Sequence, residues 1–206
     1  MRAAVILRIV SGRIRPGRLD AVTEAYTARY HPVAMATPGL DRFFVGVRPM
    51  ADEHQLASMT VWQTVEAALA AYAGDLSAVR TLDDRSHGEE LTNVDYYEVE
   101  DGVVQRDGVE AAFLRLTAGT VARGLDADIQ QELRRRLHTL PDELAEGYVG
   151  RRVLGDVVEI SFASTWSGDR DRASLDAPIW PEISSRYDKF RVDVFDIILS
   201  GTPARA

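Results

Sequence analysis

The chain has 206 residues, 46% of them hydrophobic, and a formal net charge of −8. That length suits two compact units of roughly 100 residues each, and the acidic balance argues against a nucleic-acid partner, whose phosphates need clustered positive charge. The chain has no cysteine, which excludes disulfides, thiolate catalysis and cysteine-ligated metals and fits a cytoplasmic protein; no apolar run has the length of a membrane span or the shape of a signal peptide.

Val5 to Val10 is rich in β-branched and aliphatic residues and reads as a strand. Beyond Arg15-Pro16-Gly17, Leu19, Val22, Tyr26 and Tyr30 recur at helical spacing. Pro32 is expected to end that helix near His31. Phe43 to Val47 and Gln55 to Trp62 read as the next two strands, turning at Asp52-Glu53. Thr64 is the expected cap of a second helix running through Tyr72, and Val94 to Val99 forms a fourth strand. The order β-α-β-β-α-β is the ferredoxin-like plan. A linker with turn chemistry runs from Asp101-Gly102 to Asp107-Gly108.

The same order follows again. Ala112 to Thr117 is a strand, Leu125, Ile129, Leu133 and Leu137 form a helical stripe, and Tyr148 to Leu154 and Val157 to Trp166 form a hairpin. Pro178 and Pro181 predict a short or irregular second helix, and Val192 to Leu199 is the last strand. Residue matches reinforce the repetition: Leu7-Arg8 with Leu114-Arg115, His31 with His138, Gly39 with Gly147, Trp62 with Trp166, and Val94-Asp95 with Val192-Asp193. The expected fold class is α+β. Two ferredoxin-like repeats, residues 1–103 and a more divergent 108–200, would pack sheet to sheet as an intrachain dimeric α/β barrel, with 201–206 as a flexible tail. Apolar residues on both faces of the first and last strands support such packing, and a ligand space is expected between the sheets. One chain then holds both sheets, so the expectation is a pseudo-dimeric monomer, with further homo-oligomerisation through other surfaces left open.

Gly39 after the first helix, Trp62 closing the third strand, and the alternating last strand Val94-Asp95-Tyr96-Tyr97 resemble the antibiotic-biosynthesis-monooxygenase domain of the dimeric α/β-barrel superfamily. The resemblance implies a cofactor-independent monooxygenase acting on an aromatic or polyketide-like small molecule. The alternative it leaves open is a non-catalytic small-molecule-binding or stress-associated protein on the same fold. Haem-degrading relatives combine a strand-one Asn, the Trp and a helix His. Here the sole Asn is Asn93 and Tyr72 stands where that His is expected, so neither haem nor flavin is supported.

Trp62, His31 and Tyr72 are the candidate catalytic residues, and Arg8, Trp166 and His87 the candidate substrate-binding ones, for a small apolar or aromatic partner and with no membrane or nucleic-acid role. Each has a plainer reading. The tryptophans fit core positions, His31 and His138 suit a helix C-terminus, and Tyr72 lies on an apolar helix face. Arg8 and Arg115 are expected to pair with Asp95 and Asp193 on the neighbouring last strand. His, Asp and Glu nowhere fall at metal-ligand spacing, so no metal is expected.

Overall fold

The computed structural model describes residues 5–78, 88–99 and 103–203. Its chain divides into two compact units, one formed by Met1–Tyr96 with Phe195–Ala206 and the other by Tyr97–Val194. Nine strands are present among the described residues: β1 Val5–Ile14, β2 Leu40–Pro49, β3 His54–Trp62, β4 Glu89–Val99, β5 Val103–Gln105, β6 Phe113–Ala122, β7 Leu144–Leu154, β8 Val157–Trp166 and β9 Lys189–Gly201. The helices are α1 Leu19–Ala25, α2 His31–Met35, α3 Val65–Ala71, α4 Asp126–Leu137, α5 Arg172–Leu175 and α6 Pro181–Ser184. No described helix is long and apolar enough to cross a membrane.

In the first unit the strands lie in the order β4-β1-β3-β2, the ferredoxin-like arrangement, with the end of β9 on the outer edge of β2. The second unit repeats it as β9-β6-β8-β7, with β5 on the β7 edge. The two fourth strands are long enough to serve twice. β4 starts in the first unit, and its last residues, Tyr97–Val99, belong to the second, where Glu98 faces Arg151 of β7. β9 starts in the second unit and ends in the first, where Leu199 faces Val45 and Gly201 faces Phe43. Residues 201–203 are therefore held rather than frayed: Gly201 closes β9 and Pro203 is buried.

Pro32 does not end the first helix. Tyr26–Tyr30 forms a π turn between α1 and α2, and the His31 N–H bonds to the Tyr26 carbonyl five residues back. The ladder is already shifted when it reaches Pro32, which falls in the first turn of α2, where a missing N–H costs nothing. The turn also corrects register. A repeat of four outruns the 3.6-residue α-helical turn, so the stripe Val22, Tyr26, Tyr30, Ala34 would drift round a straight helix. The wider turn brings it back over the sheet, where Val22, Tyr26 and Ala34 are buried. In α4, Ile129, Leu133 and Leu137 are buried as expected, but Leu125 precedes the helix and is exposed. α3 is capped as expected: the Thr64 hydroxyl accepts from the Ala67 N–H at 3.1 Å. In the second unit α5 and α6 are the short, broken helical stretch that the prolines predict, and Asp171 caps α5.

The helices cover one face of each sheet. In the first unit that face carries Ile6 and Ile14 of β1, Leu56 and Trp62 of β3, and Phe43, Val45 and Val47 of β2, packed against Val22, Tyr26, Ala34 and Ala68. A bulge at Asp41 lets Leu40 share this face, opposite Trp62. Gly39 precedes it with φ +75, and a Cβ at this position would collide with the Cβ of Ala67 in α3. Gly39→Ala combines left-handed strain with a clash, and a urea melt should show a loss of roughly 2–4 kcal/mol.

Candidate functional site

Trp62 ends β3 and is 2% exposed. Its ring meets Tyr72 edge to face at 5.7 Å. Its indole N–H donates to the hydroxyl of Thr60 at 3.1 Å, two residues back on the same face. The tryptophan thus arrives with its one polar atom satisfied, and it offers a ligand a wall rather than a donor.

Arg8 lies opposite Thr60 in the β1–β3 register and is 3% exposed. Its side chain leans toward the helices, not toward the last strand. Nε donates to the Leu76 carbonyl at 2.9 Å and Nη2 to that of Ala78 at 2.5 Å. The guanidinium carbon sits 4.0 Å from the centre of the Tyr72 ring. Burial lowers the Arg8 pKa, opposed by Tyr72, Tyr30 and Asp75. The expected pairing with Asp95 is therefore replaced by backbone carbonyls, and Asp95 accepts instead from Asn93 at 2.8 Å. The reason is geometric. Even-numbered residues of β1 face the helices, and the chain leaving α3 passes over Arg8 with carbonyls turned down.

The second unit repeats this contact set. Arg115 faces Ser164 in β8, as Arg8 faces Thr60 in β3. Its Nε donates to the Leu175 carbonyl at 2.8 Å and its Nη2 to that of Ala177 at 3.0 Å. Trp166 donates to the Ser164 hydroxyl at 2.9 Å. Here too the guanidinium takes carbonyls rather than Asp193, and burial brings its pKa down to about 10 against the opposing charge of Asp176. The register amends one expected match. Leu40 and Leu144 both face the closing tryptophans, and each strand bulges at the next residue, so Gly147 falls level with Phe43 rather than Gly39.

Tyr30 was not among the candidates. Its ring packs edge-on against Phe43 at 5.7 Å, and its phenol comes within reach of the Ser58 side chain of β3. Burial, and then Tyr72, raise its pKa to about 12, with Ser58 and Arg8 pulling the other way. Tyr30, Tyr72, Arg8, Ser58 and Trp62 thus gather on the helix-covered face of one sheet, not on the opposite face that the two-sided strands suggested. His31 stands at the margin, half-buried with its ring 5.7 Å from Phe43. His87 lies outside the described residues. Among the described residues no three His, Asp or Glu gather as a metal site requires. One sequence signal did mark the spot: Ser58 and Thr60 alternate with Trp62 at the period of a strand, so all three share a face.

No family model matches the chain, and no curated protein is recognisably similar to it in sequence. Its fold has solved counterparts. A protein of Fusobacterium nucleatum bearing a provisional monooxygenase name aligns over 100% of this chain and 98% of its own, with TM-score 0.69 and 10% identity. One from Lactobacillus acidophilus, named in the same way, covers 98% of each chain at TM-score 0.63 and 12% identity. An anthrone oxidase-like protein covers 100% of this chain and 95% of its own at TM-score 0.60 and 13% identity. The chain has the fold of monooxygenase-like proteins. At these identities the likeness carries architecture, and any chemistry has to come from the site.

Lysine in place of either arginine cannot bridge two carbonyls with a fixed fork. Arg8→Lys and Arg115→Lys should each lower stability by roughly 1.5–3 kcal/mol in denaturant melts. A second expectation concerns pH. Tyr30 is held neutral in the folded state while its unfolded counterpart ionises near 10.0. Its contribution is complete below that value and is lost as pH rises toward about 12. Tyr30→Phe should flatten this part of the stability curve, and alkaline melts of the two proteins would measure it.

Proposed function

We propose that the protein is a cofactor-independent monooxygenase-type enzyme acting on an aromatic, polyketide-like small molecule, with its site in the N-terminal unit. The observation that carries this is the group of buried Arg8 and half-buried Tyr72 and Tyr30 beside the Trp62 wall. A buried cation with two phenols suits a substrate that becomes an oxyanion.

For an anthrone the chemistry balances without a cofactor. The methylene carbon opposite the ketone loses a proton, and the resulting enolate passes electrons to molecular oxygen. A carbon–oxygen bond forms, giving a hydroperoxide. Loss of water leaves the quinone, so each O2 supplies one atom to product and one to water. Arg8 and the Tyr72 hydroxyl face the developing enolate oxygen, and Trp62 backs the rings. His31 is the candidate proton acceptor, reached at the Phe43 margin of the site.

One observation favours the second reading, a binding protein without catalysis: Arg8 and Trp62 already spend donors on Leu76, Ala78 and Thr60. Oxygen uptake with anthrone separates the two. The enzyme reading expects one O2 consumed per quinone formed, and Tyr72→Phe should cut kcat by about 10²-fold. Tight binding of anthrone with no uptake above the buffer rate would leave the binding reading standing and remove the enzymatic one.

A further inference from the structure

Both units keep the arginine, its two carbonyls and the tryptophan with its hydroxyl, so these contacts belong to the shared scaffold. The differences lie beside them. Ser58 of β3 is level with Phe162 of β8, since their partners across the sheet, Val10 and Thr117, follow Arg8 and Arg115 by the same two residues. Tyr30 packs on Phe43. Gly147 is level with Phe43, and a Cβ there would lie 3.4 Å from Leu137. Leu137 therefore occupies in the second unit the place that Tyr30 holds in the first. Phe162 packs against Trp180 at 5.5 Å, and the space left by Arg115, Phe162, Trp180 and Tyr187 is about 20 Å³. That volume holds a water molecule and no aromatic ring. Leu137 and Phe162 are buried, whereas Tyr30 and Tyr72 are only partly so.

We propose that Tyr30 is the hydrogen-bond donor that positions the ligand in the N-terminal unit, and that the C-terminal unit, with Leu137 and Phe162 in place of the Tyr30–Ser58 pair, holds no ligand, so that each chain has one site. The inference rests on the function proposed above and adds Tyr30 to Arg8 and Tyr72 as a donor to the ligand's oxygen. In this arrangement the Ser58 hydroxyl is the donor to the phenol oxygen, and the phenol proton goes to an acceptor on the ligand. Tyr30 closes the π turn, and such turns recur at functional sites. The phenol is protonated throughout the neutral range, as any tyrosine is, and burial raises its pKa further, so it does not act as a base.

The test is a calorimetric titration of the whole protein with anthrone under argon, so that binding is read without turnover. One anthrone per chain is expected. Tyr30→Phe should weaken binding up to about tenfold, the worth of one hydrogen bond to the anthrone carbonyl. Tyr26→Phe, which removes another buried phenol from the same π turn, should leave affinity unchanged, as should Trp180→Phe in the second unit. Melting curves of each variant establish that it is folded before it is titrated. Two anthrones per chain would overturn the single site. Unchanged affinity in Tyr30→Phe, with wild type still binding, would overturn the role of Tyr30 and leave the proposed function intact. A wild-type protein that binds no anthrone would remove the functional reading and this inference with it.

Discussion

A guanidinium that is buried has to be satisfied where it lies, because leaving its charge and donors unpaired costs far more than a domain can spare. In this protein the requirement is met without a carboxylate. Arg8 and Arg115 each reach across the helix-covered face of a sheet to two carbonyls, those of Leu76 and Ala78 beyond α3 and those of Leu175 and Ala177 at the end of α5. Leu76 and Leu175 also pack these segments into the cores. Asp75 and Asp171 shape their turns locally, but each arginine ties its segment to the sheet. Everything placed next to the arginine inherits the constraint, including the Tyr72 ring over Arg8 and the Thr117 hydroxyl that accepts from Arg115 at 2.5 Å.

Much of this architecture was legible from residue types and spacing. Period-two and helical patterns located the strands and main helices, because each element buries one face and the pattern records which. The Thr64 cap and the broken helix before Pro181 follow from local chemistry that tertiary structure did not override. The misreadings share a cause. Pro32 is a helix breaker unless a wider turn precedes it, and the cue for that turn is distributed over a stripe that repeats every four residues. Gly39 and Gly147 look equivalent along the chain, but a bulge in each second strand sets a different register. Arg8 and Asp95 share adjacent strands, so their pairing is reasonable on sequence. The real partners are carbonyls roughly seventy positions away in a turn that carries no side-chain signature.

The site was half legible for the same reason. Trp62, Arg8 and Tyr72 stand out by type. Tyr30 reads as one more apolar member of a helical stripe, since nothing in the sequence tells a phenol that packs from a phenol that also bonds. Its distinction lies in Ser58, a residue of another element brought beneath it by the sheet. Comparing the two units recovers what one alone conceals. Contacts present in both are explained by what any copy of the fold must satisfy, and contacts present in one demand a reason of their own.

That reasoning also explains why the two changes come together. A phenol over a sheet needs a polar partner, and Ser58 supplies it. Set over Phe162, the same phenol would be left with a buried unsatisfied hydroxyl, costing about 1–3 kcal/mol. Leucine over serine would strand the smaller hydroxyl instead. Leu137 with Phe162 and Tyr30 with Ser58 are therefore matched pairs, each stable in its own unit, and a single exchange within either pair is unfavourable. A unit that has adopted the apolar pair gains packing on Trp180 and Tyr187 and gives up its donor beside the arginine. The unit that has the polar pair keeps a phenol packed on Phe43 and close enough to buried Arg8 to feel its charge, a placement that packing alone does not call for.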